Sequence, residues 1–138
     1  MPAIRRGLEE DLAAVAAIQS ASPEAAHWNV ADYLGYDLWV ATAGGQIAGF
    51  LVSRPLGSGE GELLNVAVAP GFRRNGLGKA LIRASLGEFP NGIYLEVRES
   101  NAIALTLYKS MGFKEVTRRP RYYEAPVEAG IVMKFHSC

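Results

Sequence analysis

The stretch Arg73-Arg74-Asn75-Gly76-Leu77-Gly78-Lys79 sets two glycines one residue apart among basic side chains. Apolar residues then recur at Leu77, Ala80, Leu81 and Ala84, the spacing of a helix face. A helix N-terminus offers free backbone N–H groups and a partial positive charge, so it suits an anion. Glycines let a ligand approach that backbone, and Arg73, Arg74 and Lys79 add charge, so phosphate binding is one reading. The other is a helix start whose glycines serve only packing. Gly71 and Gly76 have P-loop spacing, but Leu77-Gly78 follows where Lys-Ser or Lys-Thr is needed. A dinucleotide fingerprint fails at bulky Leu81, where close helix–strand packing wants a small residue.

Two further side chains could move protons. In Ile93–Arg98, alternation puts Ile93, Leu95 and Val97 on one face and Tyr94 and Glu96 on the other. A carboxylate in mid-strand is unusual, and Glu96 reads either as a general base or as one half of a salt bridge to Arg98 or Arg119. Tyr108 shares a helical stripe with Ala104, Leu107 and Met111, so it reads as a core residue or as a general acid. Arg118-Arg119-Pro120-Arg121-Tyr122-Tyr123 is basic and aromatic, which fits a solvated loop or, less well, a nucleic-acid patch.

Positioning these groups takes a mixed set of elements. Strands are predicted at Ala3–Arg6, Leu38–Ala41, Gln46–Ser53, Glu62–Ala69, Ile93–Arg98, Phe113–Thr117 and Gly130–Phe135. Helices are predicted at Leu8–Ser20, around Asn29–Leu34, at Gly76–Phe89, and after a Ser100 N-cap up to Gly112. Pro23 interrupts the chain after the first helix. Gly44-Gly45 signals a hairpin turn and Pro55–Gly61 a loop. The expectation is one α/β domain over residues 1–138 with a mixed, mostly antiparallel sheet of about six to seven strands and about four helices.

Composition narrows the function classes. The 138 residues are 49% hydrophobic and carry 14 basic and 14 acidic side chains. A net charge of zero argues against binding through bulk nucleic-acid charge. Cys138 is the one cysteine, so no internal disulfide forms. No apolar run approaches the roughly 20 residues that span a bilayer, and the N-terminus lacks an apolar signal region. A cytoplasmic protein with no membrane and no nucleic-acid partner is expected. His27 and His136 lack metal-ligand spacing, so no metal is expected.

LLNVAVAPGFRRNGLGKALI resembles the acyl-CoA-binding motif of the GNAT superfamily of N-acetyltransferases, and YLEVRESNAIALTLYKSMGF resembles that superfamily's second half. With RRPRYY following, the chain is most similar to the bacterial ribosomal-protein alanine N-acetyltransferases and their N-terminal-acetyltransferase relatives. The resemblance implies a GNAT fold and acetyl-CoA as donor. It assigns the pantetheine arm to the backbone of Val66, Ala67 and Val68, and the pyrophosphate to the amides of Arg74, Asn75, Gly76, Leu77, Gly78 and Lys79. Asn101 would touch the cofactor; its other reading is plain capping beside Ser100. Glu96 falls on the family's catalytic glutamate, and Asn101 to Tyr108 matches its Asn-x6-Tyr spacing, which implies that Tyr108 protonates the CoA thiolate. Tyr122 and Tyr123 would line the peptide groove. Ser20–Leu34 and Glu124–Ala129, which border the acceptor in this fold, depart from the family pattern.

The implied reaction is transfer of an acetyl group to a primary amine, foremost a protein or peptide N-terminus. A small amine (an amino acid, polyamine or amino sugar) is the alternative acceptor. A module that binds acyl-CoA without turnover is a third reading, against which retention of both Glu96 and Tyr108 speaks.

Overall fold

A computed structural model describes residues 3–22, 28–124 and 127–135; Pro23, His27, His136 and Cys138 lie outside them. The strands are β1 (Ala3–Arg6), β2 (Asp37–Ala43), β3 (Gln46–Gly57), β4 (Glu60–Val68), β5 (Ile93–Arg98), β6 (Lys114–Glu124) and β7 (Val127–Phe135). The helices are α1 (Leu12–Ser20), α2 (Leu77–Leu86) and α3 (Ala102–Ser110), with a 3-10 helix at Val30–Gly35. Hydrogen bonding orders the strands β1-β2-β3-β4-β5-β7-β6. The β4–β5 pair is parallel, whereas β1–β2, β2–β3, β5–β7 and β6–β7 are antiparallel. This is the mixed α/β sheet expected.

The chain divides into two compact units, Met1–Arg54 with Leu63–Glu88, and Pro55–Glu62 with Phe89–Cys138. In the first, Val15 and Ile18 of α1 and Tyr33 pack with Leu38, Val40, Phe50, Val52 and Ala67 from β2, β3 and β4. Each Val, Leu, Ile or Phe side chain among them contributes about 1.5–3 kcal/mol on burial. Leu77, Leu81 and Ile82 bury one stripe of α2. The apolar stripe of α1 ends in a polar residue, Gln19, which is also buried. Its amide oxygen accepts from the Tyr33 hydroxyl and from Asn65 Nδ2, and its own NH2 donates to the Trp28 carbonyl at 2.7 Å. The network thus ties α1, the Trp28–Tyr33 segment and β4 together. Asn65→Ala removes one partner and strands buried polar groups, so we expect a loss of about 2 kcal/mol in chemical denaturation, with an unchanged slope.

In the second unit, Ile93, Leu95 and Val97 bury one face of β5, and Tyr94, Glu96 and Arg98 are half-buried on the other. Ile131 and Met133 of β7 are buried too. Tyr108, Phe113 and Phe135 form a run of tilted rings with centroids 5.5 and 5.6 Å apart.

Three expectations need correction. Pro55–Gly61 is no open loop: β3 runs on to Gly57 and β4 begins at Glu60. Ser58 (φ 55°) and Gly59 (φ 76°) form the two-residue, left-handed turn that matches strand twist. Pro55 is tolerated because β2 ends opposite Ser53, so no β2 carbonyl awaits its missing N–H. The N-cap of α3 is Asn101, whose side chain accepts from Ala104 N. Ser100 is otherwise engaged, its N–H and hydroxyl both donating to Glu128. Finally, Arg118–Tyr123 belongs to β6 rather than to a loop. The register jumps between Arg119↔Gly130 and Tyr123↔Glu128, four residues of β6 against two of β7. That bulge absorbs Pro120, which cannot donate to the ladder.

Candidate active site

The glycine loop belongs to the first unit. After β4, Pro70–Phe72 makes a 3-10 turn, Arg74 takes φ 68° and Gly76 takes φ 75° as the N-cap of α2. A non-glycine residue at positive φ is costly, so the loop holds a special shape. Gly76 has no side chain with which to satisfy the first amides of α2, and a Cβ built there meets nothing within 4 Å. The first N–H groups of α2 thus have no side-chain cap from Gly76, and the space beside Gly76 is open, features that suit an anion. Asn75 and Arg74 are exposed, whereas Leu77 turns its side chain into the core. Arg73 also makes contacts within its own unit. Its Nε donates to the Val68 carbonyl at 3.1 Å and its guanidinium reaches Ser22 Oγ at 3.3 Å, clamping the loop to the end of β4 and the segment after α1. Val66 and Val68 are partly exposed on β4 while Ala67 is buried.

Glu96 and its surroundings belong to the second unit. The Glu96 side chain is 18% exposed, and its Oε2 is buried with no hydrogen-bond partner among the described residues. Of the two cations proposed for it, Arg119 is the partner, Nε to Oε1 at 3.6 Å. Arg98 instead pairs with Glu128 at 3.2 Å and lies over the Tyr123 ring at 4.2 Å. Burial pushes the Glu96 carboxyl above the usual carboxylate range; Arg119 pulls it back down, and Glu62 pushes it up.

Tyr122 and Tyr123 are sequence neighbours, yet their rings meet edge to face with centroids 5.1 Å apart. Neighbours on a regular strand point to opposite faces; here the β6 bulge accompanies the exception. Arg119 lies over the Tyr122 ring at 5.0 Å. Tyr123 is held above its ordinary value by burial first and by the Glu96 charge next. Tyr108 is 6% exposed, and burial pushes its phenol well above the ordinary range, so it stays protonated. The Asn101 carbonyl oxygen is engaged in capping α3.

The structure thus brings Glu96, Arg119, Tyr122 and Tyr123 together. The loop Arg73–Lys79 is a separate feature of the other unit. Two neighbours of Glu96 were not anticipated from the sequence. Glu62 pairs in register with Tyr94 on the adjacent strand, a parallel contact that spacing does not announce. Gly130 lies on β7, where a built Cβ would sit 2.5 Å from Glu96 Oε2 and 3.1 Å from Tyr122 Cδ2. Among the described residues no group of His, Cys, Asp and Glu is arranged to hold a metal, and no helix is long and apolar enough to cross a membrane.

Residues 6–113 match the acetyltransferase (GNAT) family. The chain belongs to that family. It is 40% identical over 95 residues to the [ribosomal protein bS18]-alanine N-acetyltransferase of Escherichia coli K12, covering 66% of this chain and 62% of that protein. It is 37% identical over 101 residues to an N-alpha-acetyltransferase of Sulfurisphaera tokodaii, covering 62% and 60%. The matched segment thus spans less than two thirds of either relative. Over the whole fold, the chain superposes on the crystal structure of the E. coli ribosomal-protein-S18-alanine N-acetyltransferase with a TM-score of 0.85 at 31% identity, covering 99% of this chain and 94% of that one. The TM-score is 0.87 at 28% identity with Ard1 from Thermoplasma volcanium.

Proposed function

We propose that this protein transfers the acetyl group of acetyl-CoA to the N-terminal α-amino group of a protein or peptide. The observation that carries the reading is the loop entering α2: uncapped amides behind a left-handed Gly76, in a chain of the GNAT family. The names of the relatives support an N-terminal acceptor.

In this reading residues 1–138 act as one transferase domain in the cytoplasm, with no metal. The amides of Arg74–Lys79 bind the diphosphate, the backbone of Val66–Val68 lies along the pantetheine arm, and Asn101 adds a contact. Arg73 adds charge towards the diphosphate and, through Val68 and Ser22, holds the loop in shape. The amine attacks the thioester carbonyl carbon. Its proton passes to Glu96, directly or through a water, and the C–S bond breaks as the tetrahedral intermediate collapses. The thiolate leaves with a hydrogen bond or proton from Tyr108. An α-amino group has a pKa of about 7.7–8, so a carboxylate with a raised pKa is an adequate base for it. Tyr122 and Tyr123 form the wall against which the acceptor's first residues lie.

Thiol release from acetyl-CoA against peptides with varied N-termini, free amino acids and polyamines tests the reading. Turnover of peptides is expected; turnover of small amines alone would move the acceptor to the second class. Gly76→Val tests the loop. A β-branched side chain at φ 75° carries about 1–2 kcal/mol of strain, which the loop relieves by moving its amides. The Kd for acetyl-CoA, measured calorimetrically, should rise about tenfold, with kcat at saturation close to wild type.

A further inference from the structure

Glu96 is a half-buried carboxylate with one ion-pair partner among the described residues, Arg119, and that partner has no part in the proposed reaction. Arg119 reaches Glu96 from β6 at 3.6 Å, is 56% exposed, and is laid flat by the Tyr122 ring. In register with Arg119, Gly130 of β7 has no side chain, and a Cβ built there would stand 2.5 Å from Glu96 Oε2. Arg118 on the same strand is spent on Glu99 and Glu115, both at 2.8 Å. Arg98 on β5 is paired with Glu128.

We propose that Arg119 is a positioning residue: it is the counter-ion that keeps the Glu96 carboxylate ionised and turned towards β6, ready to take the acceptor's proton. The inference rests on the assignment of Glu96 as the base. Among the described residues, the other titratable groups near Glu96 do not supply a cation. Glu62 on β4 repels it, and Tyr123 on β6 is a phenol held protonated. Burial pushes the Glu96 carboxyl towards its neutral form, and the Arg119 charge beside it opposes that shift. An exposed guanidinium is screened by salt, so its hold on Glu96 should weaken as ionic strength rises.

The test compares wild type, Arg119→Gln and Arg119→Lys by two readouts. One is the acid limb of kcat/KM against pH. The other is the titration of the Glu96 carboxyl by 13C NMR in the free protein, its resonance assigned by its loss in Glu96→Gln. Removing the cation should move both midpoints to higher pH in Arg119→Gln, with Arg119→Lys between it and wild type. Activity lost at neutral pH should return as pH rises, and the difference should shrink in high salt. Movement of the NMR midpoint alone, with the kinetic limb fixed, would uphold the counter-ion and remove Glu96 from the role of base. An NMR midpoint unmoved by Arg119→Gln would overturn the inference, whatever the kinetics. A purely structural arginine would change the melting temperature and leave both midpoints where they were.

Discussion

Glu96→Gln should lower kcat/KM by about 10³-fold at neutral pH while the protein melts no earlier than wild type. The size follows from removing a positioned base, which is typically worth 10² to about 10⁴ in rate. The stability half follows from the direction of the carboxyl's shift. Burial raises Glu96 above its value in the unfolded chain, outweighing the opposing pull of Arg119. A carboxyl raised on folding favours the folded state below its unfolded pKa, and that advantage is lost as pH rises through the folded pKa. Above its folded pKa the ionised Glu96 is therefore a cost to the fold, and the amide of Gln relieves it. The melting temperature of Glu96→Gln relative to wild type should accordingly rise from acid to neutral pH. The wild-type acid limb of kcat/KM should lie above the ordinary carboxylate range, and Glu96→Gln should lack it. A variant that lost stability together with activity would mark Glu96 as a structural ion-pair partner of Arg119 instead of a base.

This conflict between site and fold explains what the sequence could and could not announce. Glu96 is legible because period-two alternation around it is clean, Ile93, Leu95 and Val97 inward and Glu96 on the opposite face. A charge at such a place breaks the local rule and draws notice. The glycine loop is legible because its residues are adjacent in sequence and act through their own backbone. What surrounds Glu96 is legible only in part: Arg119 stands among its two candidate partners in the sequence, but the choice between Arg98 and Arg119, and the approach of Gly130 and Glu62 on β7 and β4, depend on the strand order and register. A register slip of two residues hid the strand character of Arg118–Tyr123, since a proline inside six polar and aromatic residues reads as a loop. The Ser100 cap failed for a related reason. Ser and Asn are equally good caps in isolation, and only Glu128, 28 residues away, decides that Ser100 is occupied and Asn101 serves. Short-range patterns were readable; choices settled by a partner on another strand were not.

Tyr108→Phe should lower kcat by about 10²-fold with the fold intact and the loss uniform across pH. The ring packs on Phe113 at 5.5 Å and survives the substitution, so only the hydroxyl is lost. That hydroxyl sits where burial holds its proton far more firmly than in an exposed tyrosine. Two consequences follow. First, the wild-type rate should show no alkaline limb from Tyr108 up to about pH 10, the ordinary phenol value, because the group does not ionise there. Second, a phenol this reluctant serves as a hydrogen-bond donor to the developing thiolate before it serves as a full acid. A CoA thiol of pKa about 8.5, taking the cysteine value, does not need the whole proton from it. Its gain is electrostatic, stabilising charge as the C–S bond lengthens, and it should appear in kcat rather than in KM. Single-turnover acetyl transfer at saturating acetyl-CoA measures that step directly. Unchanged transfer in Tyr108→Phe would return Tyr108 to the core and leave the thiolate to depart unaided.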